Sequence, residues 1–78
     1  MRLGDLVLIS WRDAAFNLDD SPGTVVMETV GWVTDKTQHE VTLAGEQQDD
    51  ATYQRSYRSI PTVCIIQVHQ LGITPGLN

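Results

Sequence analysis

Seventy-eight residues make one small domain and leave no room for a second. A composition that is 41% apolar, with five aromatic side chains, excludes wholesale disorder; no apolar run is long enough to span a membrane, and a single cysteine excludes a framework of internal disulfides and fits a reducing compartment. Ten acids against five Lys and Arg give a net charge of −5, which argues against non-specific binding to a nucleic-acid backbone.

The first predicted element is the strand Leu6-Val7-Leu8-Ile9-Ser10-Trp11, entered through a Gly4-Asp5 turn. Alternation puts Val7, Ile9 and Trp11 on one face and Leu6 and Leu8 on the other. Near the N-terminus no small-residue cleavage site follows an apolar stretch, so no signal peptide is expected. Residues 13–23 turn to Asn, Asp, Ser, Pro and Gly and read as a loop, with room for one helical turn, that Phe16 and Leu18 tuck onto the body. The second and longest strand runs from Thr24 to Thr34, with Trp32 expected in the core and Gly31 marking a bend, a bulge or a close backbone approach.

Asp35-Lys36-Thr37-Gln38 is a polar hairpin turn, and a third strand follows over His39–Ala44 with Val41 and Leu43 inward. Residues 45–50 read as an acidic loop. Thr52–Ile60 alternates, with Tyr53, Arg55 and Tyr57 on one face and Gln54, Ser56 and Arg58 on the other, before Pro61 interrupts it. The last strand spans Val63 to Leu71, with Val63, Ile65, Gln67 and His69 alternating onto one face and Cys64, Ile66, Val68 and Gln70 onto the other, and residues 72–78 form a loose tail beyond an ordered body of about 4–71. Nothing repeats with helical spacing over ten residues or more, so little or no helix is expected. Five short strands with apolar residues on both faces fit an all-β fold: a strongly bent antiparallel sheet, or partly open barrel, of the SH3 or Sm type.

The chemistry-bearing residues are few. His39 and His69 lie thirty residues apart, and Cys64 is placed across the strand from His69, so no metal site is expected. Cys64 stands in an apolar run with no neighbouring acid or base to activate a thiol, no Gly-x-Ser-x-Gly elbow is present, and the acid pairs Asp19-Asp20 and Asp49-Asp50 lack the calcium-loop pattern. The expectation is a chain without enzymatic activity or cofactor.

Charge is unevenly placed. Residues 13–50 carry nine acids and one Lys, whereas residues 51–78 carry Arg55 and Arg58 and no acidic side chain. Tyr53, Arg55, Ser56, Tyr57, Arg58 and Ser59 therefore gather guanidinium, phenol and hydroxyl groups on one strand. That pattern suits an edge strand kept soluble, a protein interface anchored by Tyr and Arg, or a pocket for a small anionic ligand in which Arg grips phosphate and Tyr stacks on a base. Leu6, Leu8, Ile66 and Val68 leave apolar surface that one protomer covers poorly, and they are the expected interface of a homo-oligomer.

Trp11-Arg12-Asp13-Ala14, Val30-Gly31-Trp32-Val33, and Ile60-Pro61 leading into Cys64-Ile65 follow one another in a pattern that resembles small, mostly uncharacterised β-proteins encoded by bacteriophages and prophages. Those commonly read Trp-x-Asp-(Ala/Ser), Val-Gly-(Trp/Tyr), a variable loop, and Ile-Pro-(Lys/Arg)-Gly-x-Ile. Thr62-Val63 departs from that pattern, which removes a basic residue at the proline turn and shifts weight to Arg55 and Arg58. The resemblance implies a phage accessory protein of the host cytoplasm that acts by binding, in counter-defence. It supplies no site residues. Two readings follow: a nucleotide-like anion held by the Tyr/Arg strand at a protomer junction, or a host protein bound through that strand or through the acidic loops 19–20 and 46–50. A structural component of the virion, or a housekeeping barrel, is a third class.

Overall fold

In the computed structural model, which describes residues 1–13 and 25–72, the chain enters its first strand through a turn that only glycine takes easily: Gly4 has φ +90°. The Asp5 carboxylate, buried to 4% exposure, accepts the Arg2 N–H at 2.8 Å and closes that turn. Gly4 donates to the Val33 carbonyl at 2.7 Å, and the Val33 N–H donates to the Asp5 carbonyl at 2.9 Å, so the N-terminus is pinned to the second strand.

Five strands follow: β1 (Leu6–Asp13), β2 (Val25–Lys36), β3 (Glu40–Gln47), β4 (Gln54–Pro61) and β5 (Ile65–Gly72). They form one antiparallel sheet in the order β4-β3-β2-β1-β5, bent but not closed, as the sequence leads one to expect. A 3-10 turn over Thr62–Cys64 joins the two edge strands in sequence. Among the described residues no helix is long and apolar enough to cross a membrane.

The core comes from the inward positions of four strands: Val7, Ile9 and Trp11 of β1, Val33 of β2, Val41 and Leu43 of β3, and Ile60 of β4. Cys64 and Ile65 pack against it from the 3-10 turn and β5. Each fully buried aliphatic side chain contributes roughly 1.5–3 kcal/mol by leaving water. The Trp11 indole N–H donates to the Thr29 hydroxyl at 3.0 Å, which satisfies the one polar atom of that ring.

Several local expectations are corrected. Trp32 is not in the core: Gly31 and Val33 face inward, and Trp32 lies half-buried on the outer face opposite Leu6 and Ala44. Gly31 is there for a close backbone approach, since a Cβ at that position would stand 2.6 Å from the Ala44 carbonyl oxygen and 2.9 Å from the Leu43 Cβ. β3 extends to Gln47, so Glu46 belongs to a strand and not to a loop. β5 starts at Ile65, and Val63 sits in the 3-10 turn at 94% exposure. The strict alternation expected for β5 also fails. Irregularities at both ends of the β1–β5 ladder set Ile65 opposite Trp11 and Val68 opposite Ile9, while Gln67 and His69 face Ser10 and Leu8. The tucked loop with Phe16 and Leu18, its helical turn, Asp19-Asp20 and tail residues 73–78 lie outside the described residues.

Candidate functional site

The β3–β4 hairpin is organised by its turn. Gln48 donates to the Tyr53 carbonyl at 2.8 Å, Ala51 donates to the Gln48 carbonyl at 2.8 Å, and Ala51 takes φ +63°. The ladder beyond it sets Gln47 opposite Gln54, Glu46 opposite Arg55, Ala44 opposite Tyr57, Leu43 opposite Arg58 and Thr42 opposite Ser59.

This register decides what the Tyr/Arg strand can do. Arg55 forms a 2.8 Å ion pair with Glu46, and the Ser56 hydroxyl donates to the other Glu46 oxygen at 3.1 Å. The Arg55 hydrogen bond, then that of Ser56, hold the Glu46 carboxyl below its usual range. The same bond raises the Arg55 pKa. Ser56 reaches Glu46 from a left-handed backbone, φ +62°, opposite the side-chain-free Gly45. A Cβ on residue 45 would meet the Ser56 carbonyl oxygen at 3.2 Å.

Arg58 turns to the other face, where its guanidinium carbon lies 5.2 Å from the centre of the Trp11 ring and one of its nitrogens lies 4.0 Å from Asp13. Ser59 shares a 2.9 Å hydrogen bond with the Thr42 hydroxyl. The six residues therefore do not converge on one pocket. Both arginines already face a carboxylate, and both serines involved have hydrogen-bond partners. Tyr53 and Tyr57 remain 59% exposed, with the Tyr57 hydroxyl donating to the Gln54 carbonyl at 3.2 Å.

Two hollows adjoin these elements. A polar one of about 260 Å³ is lined by Glu46, Gln47, Gln48, Tyr53 and Arg55, so a carboxylate shares it with the arginine. A larger, mostly apolar one of about 580 Å³ lies among Lys36–Gln38, Val41, Thr62, Ile65 and Val68, at the open side of the sheet.

The outer face carries what sequence reading missed. Tyr57, Ala44, Trp32, Leu6 and Gly72 stand in one register row that crosses all five strands, with Val30, Leu8 and His69 alongside. Ala44 is fully buried although it faces outward, because Trp32 and Tyr57 flank it. Val30 is 50% exposed. Leu6 and Leu8 belong to this patch, whereas Val68 lies opposite the core residue Ile9 and Ile66 falls at a β5 irregularity, so the four expected interface residues do not form a single surface. The signal that could have revealed the Glu46–Arg55 pair was the hairpin itself: any turn centred on Asp50-Ala51 sets those two residues across from each other.

The acidic-loop surface is also smaller than its sequence suggests. Glu46 is neutralised by Arg55, and the Asp50 carboxylate accepts from the Thr52 hydroxyl at 2.6 Å and the Thr52 N–H at 3.0 Å, bonds that hold its pKa low. Compared with known proteins, the chain matches no family model, no curated protein and no solved structure.

Proposed function

We propose that this chain is a non-enzymatic protein-binding module whose contact surface is the outer-face row headed by Tyr57. The observation that carries the reading is the pairing of both arginines with carboxylates beside an exposed tyrosine that continues into Ala44, Trp32 and Leu6. Tyr and Trp are favoured anchors because they bury much area while losing few rotatable bonds. Arg55, held against Glu46, serves as a rim charge that sets orientation and rate of encounter. With the phage resemblance as the setting, the partner is a host protein in the cytoplasm and the outcome of binding is counter-defence.

The nucleotide-like reading would require the ligand to displace Glu46 from Arg55 and Ser56. Native mass spectrometry of the protein isolated gently from cells in which it is active separates the two. The protein-binding reading expects a complex with a second polypeptide that is lost in Tyr57→Ala and kept in the double variant Arg55→Ala, Arg58→Ala. A nucleotide-sized adduct that disappears in the double arginine variant and strengthens in Glu46→Gln would overturn it.

A further inference from the structure

The two edges of the sheet are built differently. β4 carries Arg55 and Arg58, has a left-handed residue at Ser56, and ends in Pro61. Charge, backbone irregularity and proline are the devices that keep an exposed strand from pairing with another chain. β5 (IIQVHQLG) has no Lys, Arg, Asp, Glu or Pro and no residue with positive φ, yet Ile66, Val68 and Leu71 are 50%, 37% and 53% exposed. Its ladder with β1 is irregular at both ends and regular across Gln67–Gln70, so this central stretch holds the geometry of an ordinary strand while, among the described residues, one side of its backbone has no partner strand.

We infer that β5 is a pairing edge for a second copy of this chain, joined antiparallel about a two-fold axis into one continuous sheet. This deepens the expectation of a homo-oligomer, and it is independent of the Tyr57 surface. Antiparallel self-pairing is self-complementary, since each copy offers the same alternating N–H and C=O groups to the other. Charge favours this occupant. β5 itself has no Lys, Arg, Asp or Glu, and Glu46, Asp49 and Asp50 lie on or beyond β3, with β2 and β1 between β3 and β5 in the sheet, so two chains of net charge −5 meet along strands that carry no like charges. Pairing β4 with β4 would instead bring Arg55 and Arg58 of both copies onto one seam.

The test is sedimentation velocity of the full chain over a concentration series, with amide hydrogen exchange read at the same concentrations. A monomer–dimer equilibrium is expected, with β5 amides more protected as dimer accumulates. Gln67→Lys together with His69→Lys puts like charges on exposed positions of the pairing edge and should weaken dimerisation by roughly tenfold or more. The single Gln67→Lys variant serves if the double one loses its fold by circular dichroism. Tyr57→Lys on the opposite edge should leave the dimer intact. A chain that stays monomeric throughout, or a dimer that the β5 lysines do not weaken, overturns the inference. Larger species sensitive to both β5 and Tyr57 substitutions also overturn it, because they indicate head-to-tail pairing of β4 with β5. Because Gln67 belongs neither to the Tyr57 row nor to the Val30, Leu8 and His69 row beside it, loss of the dimer with the partner complex retained in the single Gln67→Lys variant separates this inference from the proposed function.

Discussion

Arg58 and Trp11 meet across the core from strands that are not neighbours in the sheet: the guanidinium carbon lies 5.2 Å from the ring centre, although β3 and β2 stand between β4 and β1. That contact is possible because the sheet bends far enough to bring the edge strand β4 over Trp11, toward the C-terminal end of β1. It closes the end of the core at Trp11 and draws Arg58 away from any anion site. A cation over an indole at a partly exposed position contributes about 0.5–1 kcal/mol. Arg58→Ala should therefore lower stability in urea denaturation by about that amount, and Arg58→Lys should recover part of it. An Arg58→Ala variant as stable as the parent would mean that the bend owes nothing to this pair.

The two tryptophans should separate sharply. Trp11 is 4% exposed and hydrogen-bonded to Thr29, whereas Trp32 is half-buried on the outer face. Trp11→Ala should cost about 3–5 kcal/mol, the scale of a large aromatic removed from a core, which is most of the stability of a small domain. Trp32→Ala should cost roughly 1–2 kcal/mol, in proportion to the smaller area it buries. Equal losses in denaturant unfolding would contradict the facing of β2.

Gly31 allows β2 and β3 to approach, and the obstacle to a side chain there is backbone. Gly31→Ala would place its Cβ 2.6 Å from the Ala44 carbonyl oxygen, so the strands must part. A loss of about 1–3 kcal/mol is expected, the usual range for overpacking. Thermal unfolding with an unchanged midpoint would show that the strands separate freely.

Ala51 takes φ +63° in the β3–β4 turn, a conformation that costs an L-residue roughly 1–2 kcal/mol. Glycine relieves that strain but loses more entropy on folding, so Ala51→Gly should stabilise by roughly 0.5–1 kcal/mol. A lower melting temperature for this variant would show that the turn does not hold residue 51 in the left-handed region.

The Glu46 carboxyl is held below its ordinary range by Arg55 first and Ser56 second. As pH falls through the ordinary glutamate range, the unfolded chain therefore takes up this proton before the folded one does. The stabilisation is fully present above the unfolded value and is lost as pH drops through the lowered folded value. The pair is solvent-exposed, so the effect on stability is small and is best read by NMR, as a Glu46 titration midpoint below the ordinary range. Arg55→Gln should return the midpoint most of the way toward that range; no movement would show that Arg55 is not the cause.

Much of this protein is legible without coordinates. The β-rich runs, turn residues and lack of helical periodicity determine five antiparallel strands, and alternation along β1 places Val7, Ile9 and Trp11 in the core, because a pleated strand sends successive side chains to opposite faces. The gathering of Tyr and Arg on β4 is equally visible in the chain. What only the tertiary structure decided is what those groups face. The hairpin register sets Glu46 against Arg55, and the bend of the sheet lays Arg58 over Trp11. The approach at Gly31 goes with Val33 facing inward and Trp32 outward, while irregularities against β1 override alternation in β5. Local periodicity describes one strand at a time, whereas partners are set by register and curvature, which belong to the whole sheet.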